Sequence, residues 1–348
     1  MTVDGSHPES TPDTDRPESS LKLRSVLDDL FRRRHPDLGR ITRLESAPFV
    51  ERTSFHLVDL VIEFEDGSVQ RLLLKDLGLK NLHETARQVK PRFLYEPLRE
   101  IRTYQEILER GCLDTAHFYG AVIRPDEDLY WLFLERVPGV RLSEVGDLSS
   151  WLRAARWLAR LHLRFARESD TLNRSAPLLI YDAAFYRLWL ERVERFQSIE
   201  LGRDVWESLV DAYGQAIDRL IRLPSTLIHG DFYASNVLVQ EAAGGCRIRP
   251  VDWEMAAVGP GLIDIAALSS GAWAERERTE MAAAYHDALI AEGWAGYPFE
   301  ELLRALDDCR LHLAIRWLGW APDWSPPAET AHDWLGEAVA LGEKIRTR

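Results

Sequence analysis

The chain of 348 residues is 46% hydrophobic, 10% aromatic and 28% charged, an ordinary globular composition with enough length for one large domain or two lobes. Its formal net charge of −13 argues against nucleic acid or an anionic membrane as partner, because both need basic patches that neutralise phosphate. No apolar run approaches the ~18 residues of a transmembrane helix and no secretory signal pattern opens the chain, so a soluble, cytoplasmic protein is expected.

Cys112, Cys246 and Cys309 are far apart, odd in number and without C-x-x-C spacing, and read as reduced thiols rather than zinc ligands. The charge is uneven. Residues 1–20 hold five acids against one Arg, and residues 255–348 hold fifteen acids against eight bases, a balance of −7. An acidic C-terminal region could favour a cationic small molecule, although such charges are more often a solvated surface.

In chain order, residues 1–20 are rich in Pro, Ser, Thr and Asp and predict a disordered tail, with Ser19 or Ser20 placed to cap the first helix. Leu21, Val26, Leu27, Leu30 and Phe31 recur at helical spacing and predict that helix to about Arg34. Strands are predicted at 41–46, 55–64 and 69–75, the last two joined as a hairpin by Asp66-Gly67. A helix comes next over 98–109, with Gly111 suited to its C-cap. Strands at 117–123 and 129–134 complete a five-stranded antiparallel sheet with one long helix over residues 21–136. Beyond a hinge near 137 the pattern turns helical, at 151–168, 184–196, 205–221 and from 263 to the end, so residues 137–348 predict a mainly helical second lobe.

One stretch interrupts those helices. Leu227-Ile228 leads into His229-Gly230-Asp231-Phe232-Tyr233-Ala234-Ser235-Asn236, Val237-Leu238-Val239 comes after it, and Ile248 to Val251 brings the chain back to Asp252-Trp253-Glu254. Strand-like runs pin a loop that offers the Asp231 carboxylate and the Asn236 carboxamide, with the Asp252 carboxylate beside them. Such hard oxygen donors suit Mg2+, and phosphoryl transfer needs a carboxylate for the attacking hydroxyl together with metal-holding oxygens. Taken alone, the stretch is equally a turn stabilised by local hydrogen bonds.

The pattern H-x-D-x-x-x-x-N followed by Asp252 resembles the catalytic loop and second metal-binding Asp of the protein-kinase-like superfamily. The Gly after the His and Asp-Trp-Glu in place of Asp-Phe-Gly make it similar to the aminoglycoside phosphotransferase and choline kinase branch of small-molecule kinases, over about residues 41–267. The resemblance implies an α+β, two-lobed fold and transfer of the γ-phosphoryl group of ATP to a hydroxyl of a small molecule. Asp231 would orient and deprotonate that hydroxyl, and Asn236 and Asp252 would hold Mg2+. Lys75, ending the run Leu72-Leu73-Leu74, would hold the nucleotide phosphates and be braced by Glu100 rather than Glu96. Read alone, Lys75 is as easily a strand-edge gatekeeper.

Other residues take supporting roles in the resemblance. His162, in Leu161-His162, and His229 read as scaffolding, Asp264 as a support for the loop backbone, and Glu254 as a metal assistant or a solvent-facing acid. One departure stands out: Ala47 to Phe55 contains no glycine, so the hydroxyls and N–H groups of Thr53 or Ser54 would have to stand in for a Gly-rich phosphate loop. Trp317, Trp320, Trp324 and Trp334 fall where the family builds its acceptor pocket, though helical spacing alone buries aromatics. Two other classes stay open. A non-catalytic kinase-like binding protein would keep the fold without the chemistry, and a protein kinase fits less well because only eleven residues separate Asp252 from Asp264.

Overall fold

The computed structural model describes residues 17–49, 54–111, 113–196, 202–243, 245–294, 296, 298–320 and 332–348. They fall into two compact units, one of residues up to 86 with 117–136, the other of residues 87–116 with 137–348.

In the first unit a helix, α1 (Pro17–Arg34), precedes five strands: β1 (Ile41–Pro48), β2 (Leu57–Phe64), β3 (Val69–Asp76), β4 (Phe118–Arg124) and β5 (Leu129–Glu135). All pair antiparallel in the order β1-β2-β3-β5-β4. The expected Asp66-Gly67 turn is present, with Gly67 at φ 80 and Asp66 Oδ1 accepting the Ser68 N–H at 2.8 Å. Leu27 and Phe31 of α1 share one core with Leu60, Ile62, Leu72 and Phe133. Burying each such side chain contributes roughly 1.5–3 kcal/mol, which fixes α1 on the sheet. The helix starts at Pro17, inside the stretch predicted as tail, because proline is favoured at a first helical position where no N–H is needed.

The predicted helix over 98–109 is present as α3 (Pro97–Arg102), a π-helical turn (Thr103–Leu108) and α4 (Glu109–Gly111), preceded by the short α2 (Glu84–Val89). The sequence assigns it to the first lobe, yet residues 87–116 cluster with the second unit. The cause is a set of contacts invisible in the chain order: Arg99 and Glu100 of α3 hold the backbone of residues 253 and 254.

The remaining helices are α5 (Leu148–Phe165), α6 (Ser169–Ser175), α7 (Ala183–Phe196), α8 (Arg203–Leu220), α9 (Leu262–Leu268), α10 (Glu275–Ala291), α11 (Phe299–Leu318) and α12 (Trp334–Arg346). Asp147 caps α5 by accepting the Ser149 N–H at 3.1 Å, and its stripe of Trp151, Ala154, Ala155, Leu158, Leu161 and Phe165 is buried, as amphipathic spacing requires. Two small sheets carry the loop of interest: β10 (Gly245–Pro250), β9 (Val237–Ala242) and β6 (Val140–Arg141), and β7 (Leu179–Ile180), β11 (Ala257–Pro260) and β8 (Ser225–Ile228). No helix among the described residues is long and apolar enough to cross a membrane.

Candidate active site

The loop is built from its backbone outward. At the end of β8 the chain turns at Gly230, with φ 75 and a position where a Cβ would lie 2.2 Å from the Met255 carbonyl oxygen. Only glycine fits there. Asp264, fully buried in the first turn of α9, accepts the N–H groups of His229 (2.8 Å) and Gly230 (2.9 Å). Its Oδ2 also receives His162 Nε2 at 3.2 Å, while His162 Nδ1 lies 3.0 Å from the Tyr285 hydroxyl. His229 is itself fully buried and donates from Nε2 to the Val251 carbonyl at 3.0 Å. The His229 ring braces backbone directly, the His162 ring braces the Asp264 carboxylate, and Asp264 in turn holds the loop backbone.

Asp231 emerges from this frame held on both sides. Arg316 Nη2 donates to its Oδ1 at 2.6 Å, and Asn236 Nδ2 donates to its Oδ2 at 3.0 Å and to its carbonyl oxygen at 2.9 Å. Its side chain keeps 28% of its surface exposed, against 3% for Arg316. Burial pushes the Asp231 carboxyl above the usual range, Arg316 and His229 oppose that rise, and the acids Asp252 and Glu254 add to it. Burial works against the charge on Arg316, but Tyr181, Asp231 and Tyr233 around it outweigh that and leave its pKa raised.

Asp252 is brought to Asn236 by the end of the β9–β10 hairpin, where Val251 N–H donates to the Asn236 carbonyl at 2.9 Å. It sits in the left-handed region at φ 66, ψ 65, a conformation that costs energy in a non-glycine residue and persists where surroundings enforce it. The enforcement is visible in the residues just beyond. Glu100 Oε1, on a nearly fully buried side chain, accepts the Trp253 N–H at 3.2 Å, and Arg99 Nη1 donates to the Glu254 carbonyl at 2.9 Å. The Glu254 carboxylate pairs with Lys90 at 2.6 Å and is only 16% exposed, so the solvent-facing alternative for Glu254 is ruled out.

In the first unit Lys75 lies in β3, the middle strand of the sheet, between Leu57 and Leu132 in register, and is 6% exposed. That excludes the strand-edge reading. Its ammonium stands 5.6 Å from the Phe55 ring centre. Ser54 accepts the His83 N–H through its carbonyl at 3.0 Å, which fixes one end of the glycine-free loop; Thr53 lies outside the described residues.

The sequence pattern of the phosphotransferase enzyme family (APH) matches residues 63–302, a span that takes in Lys75, Glu100, the loop and Asp252. The chain belongs to this family. Its fold is protein-kinase-like, as the similar solved structures show. The GDP complex of aminoglycoside 2'-phosphotransferase-IIIa is 15% identical, with 93% of this chain and 98% of that one covered at a TM-score of 0.53. A choline kinase from Cryptosporidium parvum is 13% identical, with 93% and 94% covered at 0.54. An ethanolamine kinase from Plasmodium vivax is 14% identical, with 97% and 95% covered at 0.57. No curated protein matches the chain.

Near the family loop stands an aromatic cluster drawn from the end of α11 and the residues just after it, the start of α12, and α7. Trp317 donates from Nε1 to the Tyr233 hydroxyl at 2.6 Å and stacks on Trp334 at 5.4 Å, and Trp320 stacks on Trp189 at 5.9 Å. Trp324 lies outside the described residues. The nearby rings already have cations beside them, Arg316 at 5.8 Å from Trp320 and Arg192 at 5.7 Å from Trp189. The acids of this region are partly taken up in ion pairs, Asp308 with Arg219 at 2.7 Å, Asp307 with Lys344 at 2.9 Å and Glu337 with Arg310 at 2.9 Å.

Two side chains that pair with acids of this region, Arg316 with Asp231 and Lys90 with Glu254, escape a reading of the sequence. Arg316 had a signal, as the one charged side chain in the run Leu311 to Leu318, a place where burial demands a partner. Lys90 had none, since it sits in a polar stretch beside Pro91.

Proposed function

We propose that the protein is a Mg2+-dependent phosphotransferase that moves the γ-phosphoryl group of ATP, or of GTP, to a hydroxyl of a small molecule. The observation that carries this reading is the partly exposed Asp231 carboxylate, braced by Arg316 and Asn236 in a loop of the family's pattern. In the reaction the acceptor oxygen bonds to the γ-phosphorus as the bridge to the β-phosphate breaks, and the hydroxyl proton passes late to Asp231. Lys75 is proposed to bind nucleotide phosphates, with Glu100 and Ser54 in support, within a nucleotide-binding segment 21–136 and an acceptor-binding part of 137–348.

The residues present fit magnesium. Asn236 turns its amide nitrogen toward Asp231, which leaves the hard amide oxygen as the donor to pair with the Asp252 carboxylate. Mg2+ takes one or two protein ligands and fills its shell with phosphate and water, so this pair of oxygen donors would be enough to hold it. When bound, the ion neutralises charge on the phosphates.

The neighbours' names support a small, hydroxyl-bearing acceptor, since they include choline, ethanolamine and aminopropanol kinases and an aminoglycoside phosphotransferase with GDP. An amine-bearing acceptor is the first class to test, antibiotics, sugars and natural-product intermediates the next. The test is a transfer screen with MgATP and MgGTP against such hydroxyl compounds, using the wild type and Asp231→Ala. The variant should lose transfer while keeping nucleotide binding, and transfer retained in Asp231→Ala would sink the assignment. Nucleotide binding with no transfer to any compound would favour the non-catalytic binding protein.

A further inference from the structure

We infer that Arg316 is a positioning residue for phosphoryl transfer that acts through Asp231, an inference that rests on the catalytic reading of Asp231 above. The geometry is a two-sided brace. On one side the Arg316 guanidinium spans the Gly230 carbonyl (Nη1, 2.6 Å) and Asp231 Oδ1 (Nη2, 2.6 Å). On the other, the Asn236 carboxamide spans the Asp231 carbonyl (2.9 Å) and Oδ2 (3.0 Å). Each donor thus ties one carboxylate oxygen to a backbone carbonyl of the same loop, so the side-chain torsions of Asp231 are set from both ends.

The alternative is that Arg316 merely docks α11 on the loop. A fold that needed only docking has other means on the same helix. Trp317 bonds the Tyr233 hydroxyl at 2.6 Å, and Asp308 takes a two-point bond from Arg219 of α8 at 2.7 and 2.9 Å. A buried ion pair is also weak evidence for stability, because desolvation offsets its attraction. What the guanidinium adds is a planar fork that meets a carbonyl and a carboxylate at once, which an ammonium reproduces only in part. The fork closes on the one loop carboxylate that the mechanism requires to be aimed.

The experiment uses the full chain with MgATP and water as the acceptor, reading phosphate release. Arg316→Met should lower kcat roughly ten- to a hundredfold, the scale expected when a reacting group is misplaced by about 1 Å, with KM for MgATP within about twofold of wild type. Arg316→Lys should recover part of kcat. In an Asp231→Ala background Arg316→Met should cost nothing more, because a residue acting through another has no effect once that one is gone. Arg219→Gln is the docking control, expected to lower the melting temperature without lowering kcat. The inference is overturned if Arg316→Met keeps wild-type kcat, or if its loss multiplies that of Asp231→Ala. Should Arg316→Met not fold, Arg316→Lys carries the test, and a kcat equal to wild type refutes the need for the fork. If Asp231→Ala itself retains phosphate release, the catalytic reading fails first and this inference falls with it.

Discussion

Asp264 accepts the Gly230 N–H at 2.9 Å, and that bond lets a fully buried carboxylate on α9 shape the turn from which Asp231 projects. The same carboxylate takes the His229 N–H and His162 Nε2, so three donors converge on two oxygens. Asp264→Ala would strand them all. Loss of a buried charged partner typically costs about 3–5 kcal/mol, and each stranded buried N–H adds to it. Urea unfolding of Asp264→Ala should show that loss, and Asp264→Asn, which keeps one acceptor oxygen, should lose less. A variant as stable as wild type would mean the loop does not depend on this carboxylate.

Gly230→Ala makes a complementary test from the other side of the turn. At φ 75 an L side chain is strained by about 1–2 kcal/mol, and its Cβ would lie 2.2 Å from the Met255 carbonyl oxygen, which belongs to backbone and cannot swing away. The turn must therefore move, carrying Asp231 with it. Phosphate release should fall at least tenfold, while nucleotide binding, which the mechanism assigns to other residues, persists. Wild-type turnover in this variant would contradict the rigidity described here.

What was legible in the sequence was the residue placement that local pattern sets. Asp231, Asn236 and Asp252 stand at spacings set by a loop and a hairpin, and Lys75 announces itself as a charge ending an apolar strand. Asp264 could be anticipated because an acid at a helix start is stabilised by free N–H groups in any case. Arg316 could not be assigned, since its partner is 85 residues away and only tertiary packing joins them. The two-residue strands β6 and β7 are too short to leave a periodic trace, and β11 reads as a loop because it ends in Gly259-Pro260. The helix over 97–111 was found at the right place, while its bonds to residues 253 and 254 were not legible, because only tertiary packing joins them.

Stability should fall in mild acid through His312. The ring is fully buried on α11, 2.8 Å from the Tyr213 hydroxyl, and burial, with Arg316 adding to it, holds its pKa well below the usual value of 6.5. The folded protein keeps this ring neutral while the unfolded chain takes up a proton below about pH 6.5. The contribution is therefore complete above the unfolded pKa and is lost as pH falls from there toward the folded one, with a slope of at most about 1.4 kcal/mol per pH unit. Unfolding free energies of wild type and His312→Gln between pH 8 and pH 5 check this. The variant should be less stable at pH 8 and flatter with pH, and parallel curves would reject His312 as the source.

The pair of Lys90 and Glu254, 2.6 Å apart with 7% and 16% of their side chains exposed, bears on both stability and metal binding. Lys90→Met leaves a largely buried carboxylate two residues from Asp252, and should destabilise by about 3–5 kcal/mol. Glu254→Gln should restore part of that loss in the double variant, giving a coupling of about 0.5–3 kcal/mol. The released carboxylate adds negative charge next to the proposed metal ligands. Lys90→Met should therefore lower the Mg2+ concentration needed for half-maximal phosphate release, and the double variant should not. If Lys90→Met leaves the Mg2+ requirement unchanged while unfolding shows the expected coupling, Glu254 belongs to the scaffold alone.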